Sequence, residues 1–197
     1  MSKARKTLVT LLVLGVVGTL AGVGTFSAFS STTDNTGNTF AAGTVYLADN
    51  DAGSAMYNVT NQKPGDVTTK CIRLTYTGSL AADVKLYTSS TVNALGTYVD
   101  LTIDKGTMPA GAFPGCTGFT ADAGGPIFNN TLANFTTTKN SYANGIAAFP
   151  GVQTSWAQND TVVYRFTLTL QDNNLANGGA AALTTGAHAY TWEARNQ

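Results

Sequence analysis

The chain has 197 residues, of which 43% are hydrophobic and only 11% charged, and its 11 basic and 11 acidic side chains cancel at neutral pH. So few charges exclude a disordered, charge-dominated chain, and the lack of a basic patch to neutralise phosphates excludes nucleic acid as a partner. Abundant Thr, Asn, Ala and Gly favour β structure, and about 170 residues beyond the leader suffice for one domain with a core.

The chain opens on a leader. Lys3, Arg5 and Lys6 form a basic n-region, and residues 7–24 are an uncharged apolar run long enough to enter a bilayer as a helix, so residues 1–27 are predicted to be a signal-peptide helix. Thr25 and Ser27 put small residues at the two positions a signal peptidase reads, which places the cut between Ser27 and Ala28. A cut after Ala28 would put bulky Phe26 where a small side chain is preferred. The alternative is a retained membrane anchor, a role that Gly15, Gly18, Gly22 and Gly24 weaken. A type IV pilin would need a glycine cut site directly before the apolar run and a glutamate just inside it, and the run has neither. On this reading the membrane is a partner only during export and the protein is secreted to the cell surface. Removing the leader leaves eight basic against 11 acidic residues, a net charge of −3.

Beyond the leader the periodicity is that of strands. Short strands are predicted at residues 44–47 and 56–59. In Lys70-Cys-Ile-Arg-Leu-Thr-Tyr76, Ile72, Leu74 and Tyr76 make an apolar face while Cys71 shares the other with Arg73. Residues 82–87 turn Val84 and Leu86 inward, and residues 98–104 do the same with Val99, Leu101 and Ile103. The clearest alternation spans 162–170, where Val162, Tyr164, Phe166, Leu168 and Leu170 face a core and Val163, Arg165, Thr167 and Thr169 face water. A last strand is predicted at 189–194. Lys63-Pro-Gly-Asp66, Thr77-Gly-Ser79 and Asn177-Gly-Gly179 are turn signals between them. Half-buried strands without interleaved amphipathic helices specify an all-β fold, an antiparallel jelly roll or β-sandwich over residues 40–197. Within it residues 106–159 form a long insertion of unclear period, ordered because aromatic residues recur from Phe113 to Trp156, with a short helix predicted near 130–135.

Two cysteines fit an oxidising compartment. Cys116 lies in a Gly/Pro-rich stretch, so a bridge to Cys71 would tie a long loop to the outer face or edge of a sheet. Spacing alone also allows two unpaired thiols.

Several stretches carry a family resemblance: the leader end Gly24-Thr-Phe-Ser-Ala-Phe29, then Asn38-Thr-Phe-Ala-Ala-Gly-Thr-Val-Tyr-Leu47, Lys63-Pro-Gly-Asp66, Tyr76-Thr-Gly-Ser-Leu80, Phe128-Asn-Asn-Thr-Leu-Ala133, Gln171, Asn177 and the closing Tyr190-Thr-Trp-Glu-Ala194 with Gln197. In order and spacing they resemble the TasA/camelysin family of secreted proteins. The resemblance implies processing by a dedicated signal peptidase, a jelly-roll fold and, for several members, assembly into biofilm-matrix fibres or archaeal bundling pili in which the N-terminal segment of one subunit completes the sheet of the next. An open sheet edge supports such strand addition by offering unpaired backbone groups to an extended donor.

Carried onto this chain, the donor strand would be Ala28, Phe29, Ser30, Ser31, Thr32, Thr33, Asp34, Asn35, Thr36, Gly37, Asn38 and Thr39, freed by the cut after Ser27. It is longer than the corresponding family segment, and Phe29 is its only large apolar residue, so backbone hydrogen bonds would carry most of its binding; the alternative is a disordered tail. The implied partners are further copies of the chain in a head-to-tail homopolymer, the signal peptidase and an accessory anchoring protein.

Part of the family has been described as metallopeptidases. A zinc peptidase needs two helical histidines and a glutamate, whereas this chain has one histidine, His188, and one glutamate, Glu193. His188 shares an alternating face with Tyr190 and Trp192 and reads as a core residue. No catalytic residue, metal ligand set or cofactor is assigned, and Asp104 and Asp122 read as solvated loop carboxylates. Asp49-Asn-Asp-Ala-Gly53 starts like a calcium loop, but Thr60 stands where the closing glutamate belongs, so it reads as a turn. Glycosylation sequons begin at Asn58, Asn129, Asn134 and Asn159. The functional expectation is therefore a non-enzymatic fibre subunit; a glycan-binding module using an exposed Trp156 is the alternative, and a peptidase comes last.

Overall fold

A computed structural model describes residues 41–172 and 183–197. The chain divides into two units, Met1–Ala41 and Ala42–Gln197, and every element below belongs to the second. The signal-peptide helix, the cleavage residues Thr25, Ser27 and Ala28, the donor segment 28–39 and the Asn177 turn lie outside the described residues.

The larger sheet contains β1 (Leu47–Asp49), β2 (Val67–Tyr76), β8 (Thr161–Leu170) and β4 (Val99–Thr107) in that spatial order. The short strands β5 (Thr120–Ala121) and β6 (Phe128–Thr131) pair with successive stretches of the far edge of β4. The second sheet has β3 (Ala82–Tyr87) between β7 (Ile146–Ala147) and β9 (Thr191–Asn196), and every pairing is antiparallel. The protein is an antiparallel β-sandwich, with the non-sequential neighbours β2–β8 and β3–β9 that jelly rolls share.

The registers follow from the apolar alternation. Ile72 lies opposite Tyr164, Leu101 opposite Leu168 and Ile103 opposite Phe166, so the inward residues of three strands form continuous rows. A slip of one residue would put every one of them in water, which is what holds the pairing in place. Against these rows pack Trp192 and Tyr190 from the β9 side, the former 5.4 Å from Tyr164 and the latter 4.5 Å from Phe166, centroid to centroid. Helix α1 (Leu132–Thr138) closes the rest of the core with Leu132 and Phe135, and Thr131 caps it by accepting a hydrogen bond from the Asn134 N–H.

Several expectations shift. The first strand begins at Leu47, because the Thr44 and Tyr46 carbonyls are engaged by the N–H groups of Thr77, Ser79 and Leu80 in a loop. Residues 56–59 form no strand; Met56 and Tyr57 pack against the core from a loop. The last strand starts at Thr191, since Ala189 bonds through its N–H to Ser90 Oγ and through its carbonyl to Thr88 Oγ1. The insertion 106–159 is built from β5, β6, α1 and β7, and the helix starts at Leu132 rather than near 130.

Three site expectations are overturned. Trp156 is 0% exposed, donates its indole N–H to the Ala148 carbonyl at 2.8 Å and bridges to Ala82, so it has no face to offer a sugar. Asp104 sits on β4 at 8% exposure, bonded to Arg165 through Nε at 3.2 Å and Nη2 at 2.9 Å, and Asp122 pairs with Lys105. Asp104 is thus a buried strand carboxylate, and Asp122 is a loop carboxylate as expected but ion-paired and half-buried rather than freely solvated. The outer face of β2 and β8 is wet at its margins, where Val67 and Thr69 are exposed, but not in the middle: Cys71 and Val163 are buried with Met108, and Cys116 and Phe119 pack on them. Cys71 and Cys116 are disulfide-bonded, which fixes the loop 108–119 over that face.

Candidate binding groove

Among the described residues, one end of the inner face borders a groove. Where β2 begins and β8 ends, a groove of about 1140 Å³ opens onto Ile72, Val99, Leu168 and Leu170, with Leu132 of α1 also lining it. One wall is the loop between β1 and β2, and the other is segment 183–190 leading into Tyr190 and Trp192.

The loop wall is anchored at both ends by local chemistry. At its start Asp49 Oδ1 accepts from the Asp51 N–H, Asp51 Oδ1 from the Gly53 N–H, and Asn50 Oδ1 accepts the Arg73 N–H at 2.8 Å, tying the turn to β2. Burial, assisted by the Asp51 carboxylate, holds Asp49 above the usual carboxylate range. At its end the Lys63-Pro-Gly-Asp66 turn closes on the Asp66 carboxylate, which accepts the Lys63 N–H, and Gly65, at φ +83, donates to the Leu170 carbonyl. Between these anchors, among the described residues, the Tyr57 hydroxyl alone carries the hydrogen bonds from residues 54–62 to another part of the chain. It lies 2.6 Å from His188 Nε2 and 2.8 Å from the Tyr190 hydroxyl. Burial pushes the Tyr57 phenol up to about 12 and raises Tyr190 well above its ordinary value.

Beside the groove runs β9. It pairs with β3 on one side, and on its other side no backbone partner exists among the described residues. The indole N–H of Trp192, which lines the groove, is buried, and Tyr164, whose ring packs against it, is the neighbour among the described residues that it could reach. An unpaired edge beside an apolar trough is the geometry that receives an extended strand.

The camelysin metallo-endopeptidase family matches residues 3–104, just over half of the chain. The chain belongs to the camelysin family. No curated protein matches it. The matched span ends within β4 and includes the loop wall, while segment 183–190 and β9 lie beyond it.

The family name implies a catalytic metal, and the described residues do not fit one. Both ring nitrogens of His188 are engaged, Nε2 with Tyr57 and Nδ1 with the Gly186 carbonyl at 3.1 Å. The Asp51 and Asp66 carboxylates in the groove accept backbone N–H groups. Among the described residues no three His, Cys, Asp or Glu side chains gather where they could share an ion. The Asp49–Gly53 stretch is folded as a self-bonded turn, with Thr60 exposed. Of the sequon asparagines, Asn58, Asn129 and Asn159 are exposed and Asn134 is half-buried in the first turn of α1.

Sequence reasoning missed the groove and Tyr57. The alternation of His188, Tyr190 and Trp192 pointed to one wall, but the loop that meets it has no periodicity to show where Tyr57 goes.

Proposed function

We propose that the chain is a secreted, non-enzymatic structural subunit that polymerises into extracellular fibres by strand addition. In this reading the cut after Ser27 frees residues 28–39, which enter the groove of the next copy and pair along β9. The dedicated signal peptidase and an accessory anchor are its other partners. The observation that carries the reading is the unpaired edge of β9 lying beside a groove floored by apolar inner-face residues. Backbone groups of the edge supply most of the binding, and Phe29 is the one large side chain available to fill the trough. Because donor and acceptor lie on different parts of one chain, the contact is head to tail, and a contact of that kind that does not close makes a filament.

Negative-stain microscopy of the mature protein tests this. Filaments are expected from the chain starting at Ala28 and none from a chain lacking residues 28–39; undiminished filaments from the shortened chain remove the donor role. The family name favours a second reading, a metal-dependent peptidase. Cleavage of casein by the purified protein, abolished by a chelator, would put that reading first.

A further inference from the structure

We infer that the Tyr57–His188–Tyr190 chain of hydrogen bonds is a proton-sensitive staple across the groove, closed while His188 is neutral and released when it is protonated. The consequence for strand entry rests on the fibre reading, but the staple itself does not.

The proton positions follow from which groups can donate. The Gly186 carbonyl only accepts, so the Nδ1 that faces it at 3.1 Å carries the proton of the neutral ring. Nε2 is then a bare lone pair and accepts the Tyr57 O–H at 2.6 Å. With its own proton committed, Tyr57 accepts from the Tyr190 O–H at 2.8 Å. Every proton has one place, and among the described residues this line carries the hydrogen bonds between loop 54–62 and segment 183–190, beside the apolar packing of Met56 and Tyr57.

Adding a proton to Nε2 turns an acceptor into a donor. Tyr57 then either swings its O–H toward Tyr190, which strands the Tyr190 O–H, or accepts from both neighbours, which strands its own O–H; in each case one phenol loses its acceptor among the described residues. A phenol without a partner in a desolvated site is unfavourable, so the line opens rather than reverses. The two phenols do not relieve this by ionising, because burial keeps both protonated through the neutral range. Of the three groups only the imidazole is of a type that changes charge between pH 5 and 8.

The other charged groups that share the groove are Asp51, Lys63 and Asp66, all on the loop wall, and none bonds to His188. Glu193 on β9 is bonded instead to Tyr87 and Arg195. The groove linings from β2, β4, β8, α1 and the 3-10 turn Ala94–Tyr98 include Thr68, Val99, Leu168, Leu132 and Leu95, and no titratable side chain. Segment 183–190 itself stays pinned on its far side, where the Thr185 carbonyl accepts the Asn93 N–H and Ala189 bonds Ser90 and Thr88. Release therefore frees the loop wall and leaves the β9 wall in place.

His188 is the single histidine of the chain, so its ring can be observed in the intact protein without assignment by mutation. Long-range 1H–15N correlation of the labelled mature protein, kept below any assembly concentration, should show the Nδ1–H tautomer at pH 7.5. The backbone order parameters of residues 54–62 should fall from roughly 0.85 to below about 0.6 on acidification, with a midpoint equal to that of the imidazole. Tyr57→Phe should show the low values already at pH 7.5, and His188→Gln should show no pH dependence. An Nε2–H tautomer at pH 7.5, or order parameters indifferent to the imidazole titration, would overturn the staple. Should the variants not fold, the tautomer and titration of the native protein decide. A working staple in a protein that forms no filaments at any pH would leave the staple standing and remove the fibre reading.

Discussion

The larger sheet carries a loop at each face, beside the second sheet on the inner side, and the two loops are held by different means. On the outer face, loop 108–119 is fastened by the Cys71–Cys116 bond, by Arg73 donating to the Met108 carbonyl, and by Arg165 lying over the Phe119 ring at 4.6 Å. On the inner face, loop 54–62 spans a groove and reaches the opposite wall through one phenol. The first cover is built to stay and the second to move. On the fibre reading, strand entry meets fewer fastenings on the inner side than on the outer.

The largest expected effect is in the core that supports the Tyr190 and Trp192 wall of the groove. Phe166→Ala removes the ring that packs on Tyr190 and Trp192, and should lower stability by about 3–5 kcal/mol in urea unfolding. A loss below about 1 kcal/mol would mean that the groove walls collapse to fill the space.

Replacing both cysteines by alanine tests the outer cover. The bonded residues are 45 apart, for which loop-closure entropy predicts a loss of about 4 kcal/mol, with the tautomer and titration of His188 unchanged. A change at His188 would show that the two covers are coupled.

Alkali should act first on the groove side. Tyr57 ionises near 10 when unfolded and at about 12 when folded, so between those values the unfolded chain binds fewer protons and stability falls as pH rises. The contribution of Tyr57 is on the order of 2–3 kcal/mol, with Tyr190 and buried Tyr164 acting in the same direction. Stability measured from pH 9 to 12 should decline less steeply in Tyr57→Phe than in the parent. Parallel declines would place the sensitive phenol elsewhere.

The smallest effect concerns α1, which brings Leu132 to the groove. Thr131→Ala removes the cap on the Asn134 N–H and should lower stability by about 1 kcal/mol, read as a shift in the urea midpoint.

The sandwich was legible because β2, β4 and β8 are long and half-buried, and a period of two shows wherever one face meets a core and the other meets solvent. The exception is instructive. Val163 and Cys71 sit at outward positions and look wet, yet they are buried by a loop more than thirty residues away from either in sequence. Alternation reports which face a residue is on, not what comes to cover that face. Trp156 failed for a related reason: in a stretch without period nothing local tells a buried aromatic from an exposed one. The groove was the least legible, since Tyr57 and His188 are 131 residues apart and meet only because β9 returns to the edge of the second sheet.

One feature of the strand lengths bears on what such a molecule does in a crowd. At the margins of the two sheets β1 has three residues, β5 and β7 two each and β6 four, while β9 runs for six. Short margins are poor templates for a neighbouring chain, which keeps the molecules from fusing side by side into plaques. Among the described residues the valence of the sandwich toward strands is thus close to one, and on the fibre reading such acceptors would lengthen into threads without branching.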